Sequence, residues 1–292
     1  MAMRAFVVVV SEPDIDAASD VLWQLGVRAI EERAGTDGVI ELWTAVGDEP
    51  EAIDRAVAAL HGRWQHRVVE VADEPVQTWR EHAVPMQVDD DLVIVPAWQD
   101  AAVAARATAV YIEPGGAFGL GDHPTTMLSL RALRRLLDAD TRTNDVIDVG
   151  CGTGVIAVTT AVLQNRLQGR LQDRLQDRPV RAIDVASAAV EATLDNALRN
   201  GVGDRVLADT TGLADVDGDY DIVVANILAP VLVSLAADLQ RVTRAGGRLV
   251  ISGILAGSHQ HVLDALAPMQ VERTDELDGW ACVVLRHPTD ER

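Results

Sequence analysis

Apolar residues along the first 71 positions recur with two periods: every second residue in some stretches, and every three to four residues, the spacing of a helix, in others. These periods predict strand, helix, two strands, helix and strand. The predicted bounds, in chain order, are Met3–Val10, Ile15–Leu25, Val27–Glu32, Val39–Thr44, Pro50–Leu60 and Gln65–Val71. Glycines stand at the joints, where turns need them. This β-α-β-β-α-β order predicts a ferredoxin-like α+β domain over residues 1–72.

Farther along the chain, strands and helices alternate one by one. The predicted strands are Val146–Val149, Val180–Val185, Arg205–Ala208, Asp221–Ala225, Arg248–Ile254 and, at the end, Ala281–Leu285. The predicted helices are Met127–Leu137, Val155–Leu163, Ala188–Asn200, Pro230–Arg244 and Ser258–Leu266. Such alternation predicts a largely parallel sheet with helices on both faces, a Rossmann-like α/β domain over residues 114–292.

Two segments fall outside these patterns. Residues 73–113, which contain Trp79 and Trp98, predict a linker with a hairpin-like stretch at Met86–Val95. Residues 165–178 repeat an RLQ unit with a four-residue period. Because Leu, Gln and Arg favour helix, this repeat either lengthens the preceding helix or forms a surface loop. An accidental expansion without function is the alternative.

Composition narrows the class of protein. The chain has 292 residues, enough for two domains, and no apolar run approaches the roughly 20 residues of a membrane span. Cys151 and Cys282 belong to no cluster of metal ligands, so the sequence predicts no metal site and a reducing, cytoplasmic location. The formal net charge of −20 argues against binding nucleic acid through its phosphates, and favours either a basic partner or simply solubility.

The distribution of charge adds two observations. Residues 1–70 carry 13 acidic residues against 6 arginines, which fits either the docking of a basic protein or a purely structural domain. All 25 Lys and Arg residues of the chain are arginine. An enzyme that methylates lysine would thereby spare itself, and a compositional bias towards arginine explains the same fact.

The strongest chemical signal is the run from Val146 to Gly154, where an apolar strand enters a turn with glycine at every second position. Glycine lets the backbone approach a nucleotide-like ligand closely and accepts positive φ. Hydride-transfer enzymes prefer G-x-G-x-x-G, with a pyrophosphate at the helix start. The spacing G-x-G-x-G after an acid favours S-adenosylmethionine, bound at Gly150 and Gly152. A tight strand-to-helix turn without ligand is the alternative.

Polar side chains follow three of the predicted strands, at the edge where open α/β sheets bind ligands. Asp184 is placed to accept both hydroxyls of a ribose, and the RLQ repeat accounts for its long separation from the glycine turn. Asp209 is placed to accept a hydrogen bond from an adenine amino group, or is an ordinary turn residue. Asn226 is placed to hold an amino group through its amide oxygen, and also suits a helix cap.

A glycine-rich segment from Gly115 to Thr126 precedes the cofactor strand. Its glycines can fold over the cofactor, and Phe118 can cover an apolar face of it. Thr125 or Thr126 can hydrogen-bond the methionine end of the cofactor while starting a helix. His123 has no His or Cys partner at ligand spacing, which favours a structural or substrate-shaping role over metal binding.

The segment FGLGDHPTT resembles the FGTGTHPTT signature of the PrmA family, the methyltransferases that modify ribosomal protein L11. The segments DVGCGTG, AIDV, DNALRNGV, VVANILAP and ISGIL follow in that family's order, so the resemblance covers nearly the whole chain. It implies a class I methyltransferase domain that contacts S-adenosylmethionine through Thr126, Gly150, Asp184 and Asn226. It also implies that Asn226 lies near the incoming amine, and that the amino-terminal domain recognises the protein substrate.

Some positions depart from the family pattern: Leu120 and Asp122 replace two threonines, Ala186-Ser187 replaces an Asp-Pro, and the family has no counterpart of the RLQ repeat.

The resemblance implies methylation of lysine side-chain or N-terminal amines of ribosomal protein L11, free or on the large subunit, with Asn226 as the catalytic residue. Direct nucleic-acid or membrane binding is not expected. The alternatives are a divergent methyltransferase of another protein or small molecule, a nicotinamide-dependent oxidoreductase, and a non-catalytic ribosome-associated module.

Overall fold

The structure is a computed structural model, and it describes residues 3–11, 14–25, 27, 30–35, 38–47, 50–71, 84–99, 107–113, 123–139, 145–171 and 179–289. The chain divides into two compact units, Met1–Ala83 and Val84–Arg292. Each is described by itself.

The first unit is an antiparallel sheet with two helices. Its strands are β1 (Met3–Val10), β2 (Glu31–Ala34), β3 (Ile40–Thr44) and β4 (Gln65–Val71), and its helices are α1 (Ile15–Gln24) and α2 (Pro50–Ala59). The strand order is β2-β3-β1-β4, and every neighbouring pair is antiparallel. Buried side chains of both helices meet those of β1 and β3 in one core that includes Phe6, Val8, Leu22 and Leu42. The ferredoxin-like arrangement is confirmed.

The second strand lies later in the chain than predicted. The expectation was Val27–Glu32, whereas β2 runs from Glu31 to Ala34 and pairs with β3 from Glu31 opposite Trp43 to Ala34 opposite Ile40. Val27 is buried in the core outside the strand. The hairpin to β3 decides this register, because Gly35 donates its N–H to the carbonyl oxygen of Val39 and closes the turn.

The second unit is built on a seven-stranded sheet. Its strands are β8 (Val146–Val149), β9 (Val180–Ile183), β10 (Val206–Asp209), β11 (Tyr220–Asn226), β12 (Thr243–Leu255), β13 (Gln270–Leu277) and β14 (Trp280–Arg286). They lie in the order β10-β9-β8-β11-β12-β14-β13. The first five are parallel, and β14 runs antiparallel to both of its neighbours. The predicted α/β fold with a largely parallel sheet is confirmed.

The described residues of this unit form six α-helices: α3 (Pro124–Ala139), α4 (Val155–Leu171), α5 (Ser187–Arg199), α6 (Ala229–Ser234), α7 (Ala236–Val242) and α8 (Gln260–Ala265). Two apolar clusters form the core, one containing side chains of α3 and α4 and the other containing side chains of α7 and α8. Among the described residues, no helix is both long and apolar enough to cross a membrane.

Residues 84–99 and 107–113 belong to the second unit. They form a small sheet of β5 (Met86–Asp89), β6 (Leu92–Pro96) and β7 (Thr108–Ile112). Apolar residues of all three strands join the core cluster of α3 and α4, among them Val88, Ile94 and Val110. The β5–β6 hairpin lies at the predicted stretch Met86–Val95, and its buried apolar residues belong to the core of the second unit.

Two predicted helices of the second unit differ from the structure, and one strand was not predicted. The predicted helix Pro230–Arg244 is two short helices, and Arg244 lies in β12, where its guanidinium is 2.5 Å from Asp221 and 3.3 Å from Asp145. Helix α7 ends at Val242 because the next residue, Thr243, is extended and pairs with Tyr220 of β11. Strand β13 was not predicted, because its side chains are mostly exposed and show no apolar alternation. Helix α4 continues past the predicted Leu163 to Leu171, and residues 172–178 of the RLQ repeat lie outside the described residues.

Candidate functional site

The predicted site residues converge where the strand order of the large sheet reverses. The chain passes from β8 outwards to β9 and β10, then returns to lie beside β8 again as β11. In open α/β sheets, the crevice at the carboxyl ends of two such strands is where ligands bind. The glycine turn follows β8 at this point, and Asn226 ends β11.

The glycine turn is held by hydrogen bonds from its own backbone. The N–H groups of Gly150 and Cys151 both donate to the carbonyl oxygen of Ile183, at 2.9 and 3.1 Å. Gly150 has a φ of +75°, and a Cβ atom built there would lie 2.5 Å from Cγ2 of Ile227. Glycine is therefore required by both the backbone conformation and the close approach of the chain that follows Asn226.

Asp184 closes the turn from the neighbouring strand. One carboxylate oxygen accepts the N–H of Gly152 at 3.0 Å, and the other accepts the N–H of Ala186 at 2.9 Å. A carboxylate offers about four lone-pair sites, so two acceptor positions remain for vicinal hydroxyl groups. The geometry fits the ribose of an adenosine, and it gives Asp184 a second role that the sequence did not suggest, holding the turn.

We expect Asp184→Ala to weaken the binding of S-adenosylhomocysteine by about 10- to 100-fold, because the variant removes two charge-assisted acceptors and frees the N–H of Gly152. Isothermal titration calorimetry measures the effect. The control is Asp195→Ala, which removes an exposed carboxylate from α5. Equal affinities for the Asp184 variant and the wild type would contradict the role.

Thr126 and Asn226 meet although 100 residues separate them in the chain. The side-chain N–H of Asn226 donates to the hydroxyl oxygen of Thr126 at 3.3 Å. Thr126 lies in the first turn of α3, and the next residue after Asn226, Ile227, donates its N–H to the carbonyl oxygen of Ser252 on β12. Two elements and the neighbouring strand therefore locate the amide of Asn226.

His123 immediately precedes helix α3, which carries Thr126. Its Nδ1 atom lies 2.8 Å from the hydroxyl oxygen of Thr125, and its ring contacts Trp280 edge-on with centroids 4.9 Å apart. Its carbonyl oxygen accepts the N–H of Thr126 at 3.0 Å. These contacts fit the structural role predicted for this residue. Phe118, predicted to cover the cofactor, lies outside the described residues together with the rest of positions 114–122.

Both carboxylate oxygens of Asp209 have partners within the protein. One oxygen is 2.6 Å from the guanidinium of Arg181, and the other accepts the N–H of Thr211 at 2.9 Å. Although burial raises the pKa of Asp209, the hydrogen bonds from Thr211 and the charge of Arg181 together hold it below its usual value. The turn role that the sequence allowed is present, and the adenine contact stays a prediction.

Asp148 is a carboxylic acid in the middle of the sheet, inside the motif that enters the turn. Its side chain is 1% exposed, and one oxygen accepts the N–H of Ala157 at 3.1 Å. The other oxygen has no hydrogen-bond partner among the described residues. Burial raises the pKa of Asp148 to about 7, the bond from Ala157 opposes this shift, and the negative charge of Asp184 adds to it.

This shift predicts a pH dependence of stability. The native protein keeps the proton of Asp148 up to about pH 7, whereas in the unfolded chain the carboxyl group has its ordinary pKa of 3.8, so this residue lowers stability progressively between these two pH values. Asp148→Asn removes the effect and can keep an oxygen for Ala157. We expect the melting temperature of the variant, minus that of the wild type, to rise from pH 5 to pH 7 and then level off.

Thermal unfolding of the protein without cofactor at pH 5, 6, 7 and 8 measures this difference. The control is Asp195→Asn, which makes the same substitution at an exposed position of α5. A flat or falling difference for Asp148→Asn would show that the carboxyl group is not protonated in the native state.

The thiol of Cys151 is unreactive, although the residue lies in the glycine turn. Burial raises the pKa of its thiol to about 12, so it stays protonated at neutral pH. The site therefore offers no thiolate to act as a covalent carrier, and the described residues contain no group of three or more His, Cys, Asp and Glu that could hold a metal ion.

Comparison with known proteins identifies the family. A family model described as "Ribosomal protein L11 methyltransferase (PrmA)" matches residues 17–288. The chain belongs to the PrmA family. It is similar to the "Ribosomal protein L11 methyltransferase" of Moorella thermoacetica, with 37% identity over 91% of this chain and 76% of that protein. The protein of the same name from an Exiguobacterium strain is 35% identical over 75% of this chain and 67% of the relative.

A solved structure extends the similarity to the fold. The "ribosomal protein L11 methylase" of Lactobacillus delbrueckii subsp. bulgaricus matches with a TM-score of 0.59 and 29% identity, over 70% of this chain and 98% of that one. The matches to three of the curated relatives each span about two thirds of the relative's own length. Membership of the PrmA family makes this chain a methyltransferase of the class that uses S-adenosylmethionine, as the sequence predicted.

Sequence analysis missed three residues of this PrmA-family site. Asp148 holds the start of α4, Asn196 contacts the glycine turn, and Gly253 contacts the loop that carries Asn226. A charged residue inside the apolar strand Val146–Val149 was a usable signal for the first. The other two lie in DNALRNGV and ISGIL, segments that supported the resemblance without any role being assigned to them.

Proposed function

We propose that this protein transfers methyl groups from S-adenosylmethionine to lysine side-chain amines, N-terminal amines, or both, of ribosomal protein L11. The main structural support is the contact between Thr126 and Asn226, at the edge of the sheet where the strand order reverses. It lies beside the glycine turn, whose Gly152 N–H is bound by Asp184. The names of the family and of the curated relatives support the choice of substrate. A ribosomal-protein substrate also favours the cytoplasmic location that cysteine usage suggested.

The residues present fit the proposed cofactor. Gly150, Gly152 and Gly154 have φ values of +75°, +55° and +77°, so the turn exposes backbone where any other residue would place a side chain. Asp184 retains acceptor positions for the ribose hydroxyls. When bound, S-adenosylmethionine would supply a sulfonium methyl group, whose carbon an amine nitrogen can attack in line while the C–S bond breaks and S-adenosylhomocysteine leaves.

Alignment is the main task of the protein in such a displacement, because the reacting atoms must lie about 3 to 3.5 Å apart with their orbitals in line. Thr126 accepts the amide N–H of Asn226, so the amide oxygen of Asn226 is the atom left to accept an N–H from the substrate amine. That bond directs the lone pair of the nitrogen. A lysine amine has a reference pKa of about 10.4 and must lose a proton first, which a partly dry cleft favours.

The substrate class is supported by charge. Ribosomal proteins of basic character suit a partner whose formal net charge is −20. We propose that the amino-terminal unit contributes to substrate recognition, since residues 1–70 carry more than twice as many acidic residues as arginines. The same charge opposes direct binding to the phosphates of ribosomal RNA.

Incubation with radiolabelled S-adenosylmethionine tests the proposal. The substrates are ribosomal proteins and large subunits from a strain that lacks its own L11 methyltransferase, and mass spectrometry identifies the labelled protein and residue. Label on lysine side chains or the N-terminal amine of L11 is the expected result. Label on another protein would indicate a divergent methyltransferase, and cofactor binding without any labelled product would indicate a non-catalytic module. Binding of a nicotinamide dinucleotide instead would support the oxidoreductase alternative.

A further inference from the structure

Three polar residues follow one another at spacings of three and four residues along one side of helix α5: Thr193 and Asn196 within the helix, and Asn200 at its C-cap. Thr193 is fully buried and Asn196 is 1% exposed. Buried polar side chains of this kind are retained where they satisfy specific hydrogen bonds. Both asparagines lie in the segment DNALRNGV, for which the proposed function gives no role.

The two asparagines bind the backbone of β7 and its extension in the same way. Asn200 accepts the N–H of Tyr111 at 2.8 Å and donates to the carbonyl oxygen of Tyr111 at 2.7 Å. Asn196 makes the same two bonds with Glu113, both at 2.8 Å. Each amide thus pairs with an edge strand as a residue of a neighbouring strand would. With respect to β7, the two residues are equivalent.

They differ in their remaining bond. Asn200 donates from Nδ2 to the carbonyl oxygen of Asn196, at 2.8 Å. Asn196 also donates from Nδ2 to the carbonyl oxygen of Thr153 in the glycine turn, at 3.0 Å. Thr193, one helical turn before it, donates its hydroxyl to the carbonyl oxygen of Gly152 at 3.2 Å. A Cβ atom at Gly154 would lie 2.7 Å from the hydroxyl oxygen of Thr193, so this part of the turn rests directly on α5. Asp184 holds the turn through Gly152, and α5 holds it through carbonyl groups.

We propose that Asn196 is a positioning residue for the cofactor, the amide that joins the glycine turn to β7 and keeps the turn in its binding conformation before the cofactor arrives. A turn that is already ordered loses less entropy on binding, and affinity rises accordingly. The assignment rests on the proposed function for the identity of the cofactor. It concerns affinity rather than the chemical step, because Asn196 contacts the turn and none of the residues that would hold the amine.

Asn196→Ala and Asn200→Ala form a matched pair, since both remove one side chain that pairs with β7 and only the first removes a bond to the turn. Binding of S-adenosylhomocysteine to each full-length variant is measured by calorimetry, together with the melting temperature. We expect Asn196→Ala to raise the Kd about tenfold, and Asn200→Ala to stay within about twofold of the wild type. In steady-state assays, Asn196→Ala raises the KM for S-adenosylmethionine while kcat at saturation changes little.

A second pair of variants, Asn196→Asp and Asn200→Asp, keeps the size of each side chain, so that lost packing does not explain a lower affinity. Asn196→Asp retains an oxygen for the N–H of Glu113 but turns a carboxylate oxygen towards the carbonyl of Thr153, where the two oxygens repel each other. We expect it to bind S-adenosylhomocysteine at least as weakly as Asn196→Ala. Asn200→Asp turns a carboxylate oxygen towards the carbonyl groups of Tyr111 and Asn196, neither of which belongs to the glycine turn, and we expect it to retain affinity. Equal losses in the Asn196 and Asn200 variants would overturn the role of Asn196 and leave the proposed function intact. A wild-type protein that binds no S-adenosylhomocysteine would overturn both.

Discussion

Asn226→Ala is expected to lower the rate of methyl transfer at saturating cofactor by about 100-fold or more, because misplacing a reacting group by about 1 Å costs that much. The amide of Asn226 is fixed by Thr126 on α3 and by the adjoining bond from Ile227 to Ser252. Alanine removes the oxygen that would direct the amine. Single-turnover assays with saturating S-adenosylmethionine and L11 measure the step directly.

Thr126→Val supplies the companion measurement. Valine removes the hydroxyl oxygen that accepts the N–H of Asn226 and keeps a side chain of similar shape. If Thr126 acts partly by orienting Asn226, its loss lowers kcat in the wild type and lowers it far less in the Asn226→Ala background. Wild-type turnover in a folded Asn226→Ala protein would refute the catalytic role.

Gly253→Ala is expected to be nearly as damaging, although this residue is not among the predicted ligand contacts. Gly253 lies in β12 with a φ of +84°, and a Cβ atom there would lie 2.8 Å from the carbonyl carbon and 3.1 Å from the nitrogen of Ile227. The collision is with backbone, so no rotamer change relieves it. Displacing Ile227 moves Asn226 with it, and we expect kcat to fall by about 100-fold.

Gly257→Ala is the matched control for this substitution. Gly257 has a φ of +73°, so alanine there meets a comparable conformational cost of about 1 to 2 kcal/mol, and nothing lies within 4 Å of its Cβ position. Thermal unfolding should show a moderate loss of stability in the control and a larger one in Gly253→Ala. Only Gly253→Ala should lose activity, and adding Ile227→Ala should not restore it, since the collision involves the main chain. Similar kcat values for the two glycine variants would contradict the prediction.

Much of the fold was predictable because its signals are local. The periods of β1, β4 and α2 placed these elements within a residue of their observed bounds. Strand β13 gave no such signal, since an edge strand with exposed side chains buries no face whose pattern could be read. Arg244 was assigned to a helix because its three acidic partners, Asp145, Asp219 and Asp221, come from other parts of the chain.

The candidate site divides in the same way. Asp184 and Asn226 were predicted because they follow apolar strands at the edge that binds ligands. The bond from Asp184 to Gly152 was not predicted, since it depends on the hydrogen-bond geometry between β9 and the turn after β8. The positions of residues 114–122, with Phe118, stay predictions.

By itself, the sequence determined the order of the elements, the glycine spacing of the cofactor turn and the residue types at the strand ends, because each is a property of a few neighbouring positions. Only the tertiary structure decided that Thr126 meets Asn226, that Asn196 joins the glycine turn to β7, and that Gly253 supports the loop after β11. It also decided that the carboxyl group of Asp148 is buried enough to titrate near pH 7. These facts depend on distances and burial between segments far apart in the chain, which strand order and packing set and no local pattern encodes.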